Sequence, residues 1–557
     1  MRESPGVAIF GANRDLAHID LARWSASLRI IDSGRNAAVA EPIEPNPICT
    51  GLDAVDHVVV LMMENRSFDN VLGYLYPDGV PANAPLGKVI DGLLFPDGSA
   101  KPLFNPIPDT AVNKPNHGLE IVKAGPVDPG NFRQPYPDPG EEYPYINIQL
   151  FNQPDGDTQP PYNLPPGTPA PTMDGFITDY IRNFKEVESA GMDPNKQGRD
   201  PTYDEYRQIM QSYTPAHLPV ITTLAREFAV FDHWHCAVPS QTFCNRAFWH
   251  AGTSWGRVIN DPMDEWSVGS DAPTLFNQFA ACDTTSGLDW KIYSGNSVHF
   301  FLTGVIHPKA LAPFTPPFGQ SNGYMQGMAE FLSDCAAGTL PCYSFIEPQI
   351  YGAHNDMHPS STTGKFDADN ADSPVTLGEA LIWDVYEAIR TSACAAGSNA
   401  MNTLLIITFD EHGGTYDHVP PPPAVAPDLN GNPAQDGFDF KRLGVRVPMI
   451  MVSARIAANT VVNTPMDHCS FMATLRHKWE AAAPGKFPPL TARVEAAAEF
   501  GEVFTAQTLR KVCDWPLIPR PVIGPPSPPP SGTPLNHLQQ SCAAAVAHLA
   551  AAAAISS

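Results

Sequence analysis

Two acidic pairs in this chain stand directly after short apolar runs. Glu64-Asn65 follows the run from Val58 to Met63, and Asp410-Glu411 follows the run from Leu404 to Phe409. Carboxylates brought together at the end of a buried strand repel one another and lose their hydration. A divalent cation removes both costs, and three carboxylates with one amide form a hard oxygen donor set that suits it. The same residues could instead cap two helices and a turn.

Histidine supplies a second kind of chemistry. His354 and His358 share the polar segment His354-Asn355-Asp356-Met357-His358-Pro359, and His412, His418 and His468 lie in other polar segments. An imidazole can ligate metal, bind phosphate or protonate a departing alcohol. Gly252-Thr253-Ser254-Trp255-Gly256 fits the G-x-S-x-G nucleophile elbow of serine hydrolases, and Asp410 and His468 follow in the right order. That elbow needs a buried strand before it and a helix after it. Here Asn245-Arg246 and His250 precede the serine and Pro262 follows it, which is the wrong context. No phosphate-binding P-loop, dinucleotide fingerprint or H-E-x-x-H motif is present.

The elements that must position these groups are legible. The runs at 58–63, 404–409 and 447–454 are β-rich and apolar on both faces, as buried parallel strands are. CYSFIEP at 342–348 is a further strand candidate. Helical periodicity marks 173–186, 218–228, 373–392 and 466–483, and Ser67 is placed to start a helix after the first acidic pair. Strand, crossover and strand in succession predict an α/β fold with a largely parallel sheet. Residues 1–53 read as a variable leader, 54–516 as the catalytic domain and 517–557 as a Pro-rich linker with an Ala-rich tail. Within the domain, 76–172 is dense in Pro, Gly, Asn and Asp and predicts an insertion over the site.

Composition narrows the partners. Across 557 residues, 34 Lys and Arg against 59 Asp and Glu give a net charge of −25. That field repels phosphate backbones and anionic membranes, which argues against nucleic-acid binding and allows at most transient contact with a membrane surface. An anionic substrate then needs local positive charge. The sequence shows no transmembrane run and no recognisable signal peptide. The ten cysteines are scattered without C-x-x-C spacing, which permits some disulfides but does not decide the compartment.

Three segments together resemble the bacterial phospholipase C/acid phosphatase phosphoesterase family: Met63-Glu64-Asn65-Arg66-Ser67-Phe68-Asp69, then Thr242 with Asn245-Arg246 and Gly252-Thr253-Ser254, then Phe409-Asp410-Glu411-His412-Gly413-Gly414 with Tyr416-Asp417-His418. That family includes plant non-specific phospholipases C and belongs to the alkaline-phosphatase-like superfamily. The likeness spans roughly residues 50–485. It implies a three-layer α/β/α sandwich, alkaline-phosphatase-like, with a largely parallel central sheet and long Pro-rich insertions. It implies metal-dependent hydrolysis of phosphate esters through a phospho-enzyme intermediate. The substrate is then a phospholipid, cleaved as a phospholipase C does, or a soluble phosphomonoester.

Residue by residue, the resemblance makes Thr242 the nucleophile and places Glu64, Asn65, Thr242, Asp410 and Glu411 on a divalent metal ion, with Ca, Mg, Mn, Zn and Fe all open. It makes His358 and His354 site histidines, with His358 a general acid or phosphate-binding group, and His117 another. Cys244 stands where many members carry proline, and the C-x-P-x-R sulfatase pattern is absent, so formylglycine chemistry is not implied. A serine esterase acting through Ser254 and a non-catalytic binding protein on the same scaffold are the competing classes.

Overall fold

The structure is a computed structural model that describes residues 51–115, 120–152, 170–185, 199–260, 266, 272–296, 300–317, 320–350, 354–359, 374–392, 396–428, 434–523 and 541–542. Most of the expected leader, the sequence around His117 and most of the expected tail lie outside the described residues.

An eight-stranded sheet forms the centre, in the order Thr460–Val462, Ala229–Phe231, Met449–Val452, Thr403–Phe409, His57–Met63, Tyr343–Glu347, Trp290–Ser294, Met325–Gly327. The strand at 57–63 pairs in parallel with 403–409 on one side and 343–347 on the other. Met449–Val452 runs antiparallel to both its neighbours, so all the other strands share one direction. The apolar run at 447–454 therefore yields a strand of the same composition but opposite sense. Among its described residues the connection from 403–409, residues 410–448, holds one 3-10 turn at Gln435–Gly437 and no crossover helix of the kind that links parallel strands.

Val58 through Met63 are all fully buried, which requires cover on both faces of the sheet. Pro219–Glu227, Met328–Ala337 and Pro374–Arg390 pack together over one face. Thr242–Ala251 and Cys469–Ala482 cover the other, where Trp249 stacks on Phe471 and His250 meets the Phe345 ring edge-on. This is the three-layer α/β/α arrangement that the family resemblance implies.

The described parts of the segment at 76–172 hold more regular structure than its composition suggests. It contributes a small antiparallel pair, Phe104–Pro106 with Ile121–Lys123, and the helix Tyr143–Phe151. These share a second apolar core with the helix Phe176–Lys185, built on Ile107, Val122, Ile146, Leu150, Phe176 and Tyr180. Prolines limit its regular structure but not its ability to bury side chains. Among the described cysteines every thiol is free. No described helix is long and apolar enough to cross a membrane.

Candidate active site at the carboxyl ends of two strands

Glu64 follows the strand His57–Met63 and Asp410 follows its parallel neighbour Thr403–Phe409, whose register pairs Met63 with Phe409. Adjacent parallel strands that end in register set their next residues side by side. The two turns then interlock. Asn65 donates its backbone N–H to Asp410 Oδ1 at 3.1 Å, and Asp410 donates its own to Met63 O at 3.1 Å. Asn65 takes a positive φ of 57°, and Gly413 and Gly414 take 59° and 63°. A Cβ at Gly413 would fall on the Asn65 carbonyl, so the Gly-Gly turn is what lets the two segments approach.

Thr242 reaches the same place as the first residue of the helix Thr242–Ala251. It is fully buried and its hydroxyl donates to Glu64 Oε2 at 3.1 Å. One turn further, Arg246 lies on the same helix face. Its guanidinium donates to Glu64 Oε1 and to Met62 O and lies 3.5 Å from Asp410 Oδ2. Glu64, Asn65, Asp410 and Glu411 have no exposed surface.

Burial pushes the Glu64 carboxyl well above the usual range, against the pull of Arg246 and with the help of Asp410. Burial, Glu141 and Asp410 do the same to Glu411. Asn65 Oδ1, Asp410 Oδ2 and Glu411 Oε1 are buried without a hydrogen-bond donor. Lone pairs left over on Asn65, Asp410 and Glu411 are what a divalent cation satisfies, whereas both Glu64 carboxylate oxygens already accept hydrogen bonds, from Arg246 and Thr242.

His354 and His358 come to this end of the sheet on the segment after the strand Tyr343–Glu347, whose Asp356 O accepts the Glu64 backbone N–H at 2.8 Å. Asp356 Oδ1 holds His354 Nδ1 at 2.7 Å and accepts the His358 backbone N–H at 3.0 Å. His117 lies outside the described residues. Ser254 is buried past the end of a helix, and its hydroxyl donates to Arg257 O at 2.6 Å. The residues before it are helical rather than extended, so no strand-to-helix elbow forms. His468 bonds to Asp410 O and Trp234 instead.

Sequence reasoning missed two acids. Asp138 and Glu141, both 2% exposed, enter the site from the Pro-rich segment. Glu141 accepts from Asn65 Nδ2 and, at 3.4 Å, from Gln241 Nε2. Arg66 secures this segment by donating to Gln134 O and Met357 O. Acidic residues in a turn-rich stretch carry no periodic signal that distinguishes them from solvated ones.

A second cluster, Asp69, Asp417 and His418, also has ligand-like spacing, but Arg446 occupies it. The guanidinium donates to Asp417 Oδ1 at 2.9 Å and Asp69 Oδ1 at 3.0 Å. These residues lock the segment after Glu64-Asn65 to the segment after Asp410-Glu411. Their role is to hold the two turns together.

The Phosphoesterase family profile matches residues 55–482. Non-specific phospholipase C5 of Arabidopsis thaliana is 30% identical over 470 residues, 82% of this chain and 75% of that protein. Phospholipase C A of Mycobacterium tuberculosis is 23% identical over 466 residues, 78% of this chain and 75% of that protein. A solved protein of the alkaline phosphatase superfamily from Vibrio parahaemolyticus aligns over 50% of this chain and 61% of its own, at 12% identity and a TM-score of 0.27, too low to add to the argument. With the match extending across both acidic turns, Thr242 and the histidine segment, the chain belongs to the phosphoesterase family and is a hydrolase acting on phosphate esters.

Proposed function

We infer that the protein cleaves phospholipids in the manner of a phospholipase C, with Thr242 as nucleophile and Glu64, Asn65, Thr242, Asp410 and Glu411 holding a divalent cation. The observation that carries this reading is the Thr242 hydroxyl, fully buried and bonded to Glu64 at 3.1 Å beside Asp410 and Glu411. The names of the plant and mycobacterial relatives support the substrate class. A cation bound there neutralises phosphoryl oxygens and lowers the pKa of a coordinated hydroxyl.

The chain's own residues supply the other roles. Thr242 Oγ1 attacks phosphorus, and its proton leaves along the hydrogen bond to Glu64 Oε2. Thr242 opens a ten-residue helix, whose positive end favours the phosphate anion. As the bond to the glycerol oxygen breaks, His354, oriented by Asp356, protonates the departing alkoxide. Water then attacks the phospho-threonine and releases the phosphorylated head group.

A hydrolysis panel tests this. Phosphatidylcholine, p-nitrophenyl phosphate and p-nitrophenyl phosphorylcholine are offered with and without chelator. The reading expects the two diesters to turn over best and all activity to fall on metal removal. Preference for the monoester makes the protein an acid phosphatase. Undiminished turnover in metal-free enzyme removes the cation from the mechanism.

A further inference from the structure

We propose that Asp138, Glu141 and His358 form a second cation position beside the one at Glu64, Asn65, Thr242, Asp410 and Glu411, so that the loaded enzyme carries two divalent ions. The inference rests on the reading above only in placing phosphate at this end of the sheet.

Ligand atoms of Asp138, Glu141 and His358 lie within 4.8 Å of one another, and all three residues are buried. They come from two distant parts of the chain. Asp138 and Glu141 precede the helix Tyr143–Phe151, and His358 belongs to the loop after Tyr343–Glu347.

The histidine's own bonding carries the argument. His358 Nδ1 lies 2.8 Å from Pro359 O. A carbonyl oxygen only accepts, so Nδ1 carries the hydrogen. In the neutral ring Nε2 then holds the lone pair, which is how a backbone carbonyl fixes the tautomer of a metal-ligating histidine. His358 Nε2 makes no hydrogen bond although fully buried, and it faces Glu141 Oε2 at 3.5 Å.

Charge balance points the same way. Glu64, Asp138, Glu141, Asp356, Asp410 and Glu411 are all buried at this end of the sheet, with the guanidinium groups of Arg66 and Arg246 among them. One divalent ion leaves this wall negative toward a phosphate, and a second neutralises it. Asn65 links the two positions, since its amide nitrogen donates to Glu141 while its Oδ1 is left without a donor. One imidazole with two carboxylates suits Zn²⁺, Mn²⁺ or Fe²⁺ better than Mg²⁺ or Ca²⁺.

The test is metal content by elemental analysis of the full chain, reconstituted with Mn²⁺ or Zn²⁺ and passed over a desalting column. Wild type should retain two equivalents. Asp138→Asn and Glu141→Gln should each retain about one, with circular dichroism confirming the fold. If wild type holds one equivalent that both variants keep and Asp410→Asn loses, the second position is wrong and the proposed function stands. If wild type holds none, both fall. Should the variants not fold, a wild-type crystal soaked in Mn²⁺ decides the matter. An anomalous peak between Asp138, Glu141 and His358 supports the proposal, and its absence with a peak at Asp410 overturns it.

Discussion

Arg446 is the strongest test of how the two acidic turns are held. It is completely buried and donates to Asp417 at 2.9 Å, Asp69 at 3.0 Å, and the carbonyls of Asp91 and Asp232 at 2.7 Å each. Arg446→Met keeps most of the volume and removes the charge. Two charge-assisted bonds are lost, at about 1.5–3 kcal/mol each, and two buried carboxylates then face each other. Each acid retains some support: Asp69 keeps His418 at 2.6 Å, and Asp417 keeps the Asp69 and Val419 backbone N–H groups. The expected cost is therefore at the lower end for a broken buried pair, about 3–4 kcal/mol.

Unfolding entropy near 2.1 cal/mol/K per residue, over roughly 400 described residues, converts that cost to a fall of about 4 °C in Tm. Calorimetry of Arg446→Met, Asp417→Asn and the double variant completes a mutant cycle. Asp417→Asn should recover about half of the loss in the Arg446→Met background, because it removes the orphaned charge. A Tm within 1 °C of wild type, or no recovery in the double variant, refutes the assignment of this cluster as an electrostatic lock.

His418 should make stability depend on alkaline pH. Burial opposes its charging, but Asp69 and Asp91 raise its pKa from 6.5 to about 9, against Arg446, with Lys101 also on the ring and Asp417 and His233 nearby. A raised folded-state value means the contribution is complete below pH 6.5 and is lost as pH rises through about 9; it amounts to about 3 kcal/mol. Tm should fall across that window in wild type and stay flatter in His418→Asn, and equal slopes would exclude the effect. Thr242→Ala should lower kcat by roughly 10³-fold or more with little change in fold, and more than a tenth of wild-type activity would exclude Thr242 as nucleophile. His354→Ala should cost far more on a phospholipid than on a p-nitrophenyl ester, whose leaving group needs no proton, whereas His358→Ala should cost the same on both. Comparing kcat/KM for the two substrates decides each case.

The central strands and both acidic turns were legible in the sequence, because a strand covered on both faces must be a continuous apolar run and the first polar residues after it mark its end. Ser67 as a helix cap was readable for a similarly local reason, its hydroxyl accepting from Asn70 N three residues on. Thr242 was reached through resemblance, since nothing in its neighbours distinguishes it from Ser254. Only the tertiary structure separates the two, by placing one hydroxyl on Glu64 and the other on a backbone carbonyl. The reversed sense of Met449–Val452 and the partners of Arg446 were likewise hidden, for pairing direction and a buried ion network depend on residues far apart in the chain. Asp138 and Glu141 are the clearest case. In sequence they are acids in a proline-rich stretch, and they become part of the site because Arg66 ties that stretch to the His354–Pro359 loop, about 220 residues later, and Asn65 bonds to Glu141. Local propensity and hydrophobic pattern report an element's own face, whereas the charge environment of a site is set by whichever distant segments the fold packs around it.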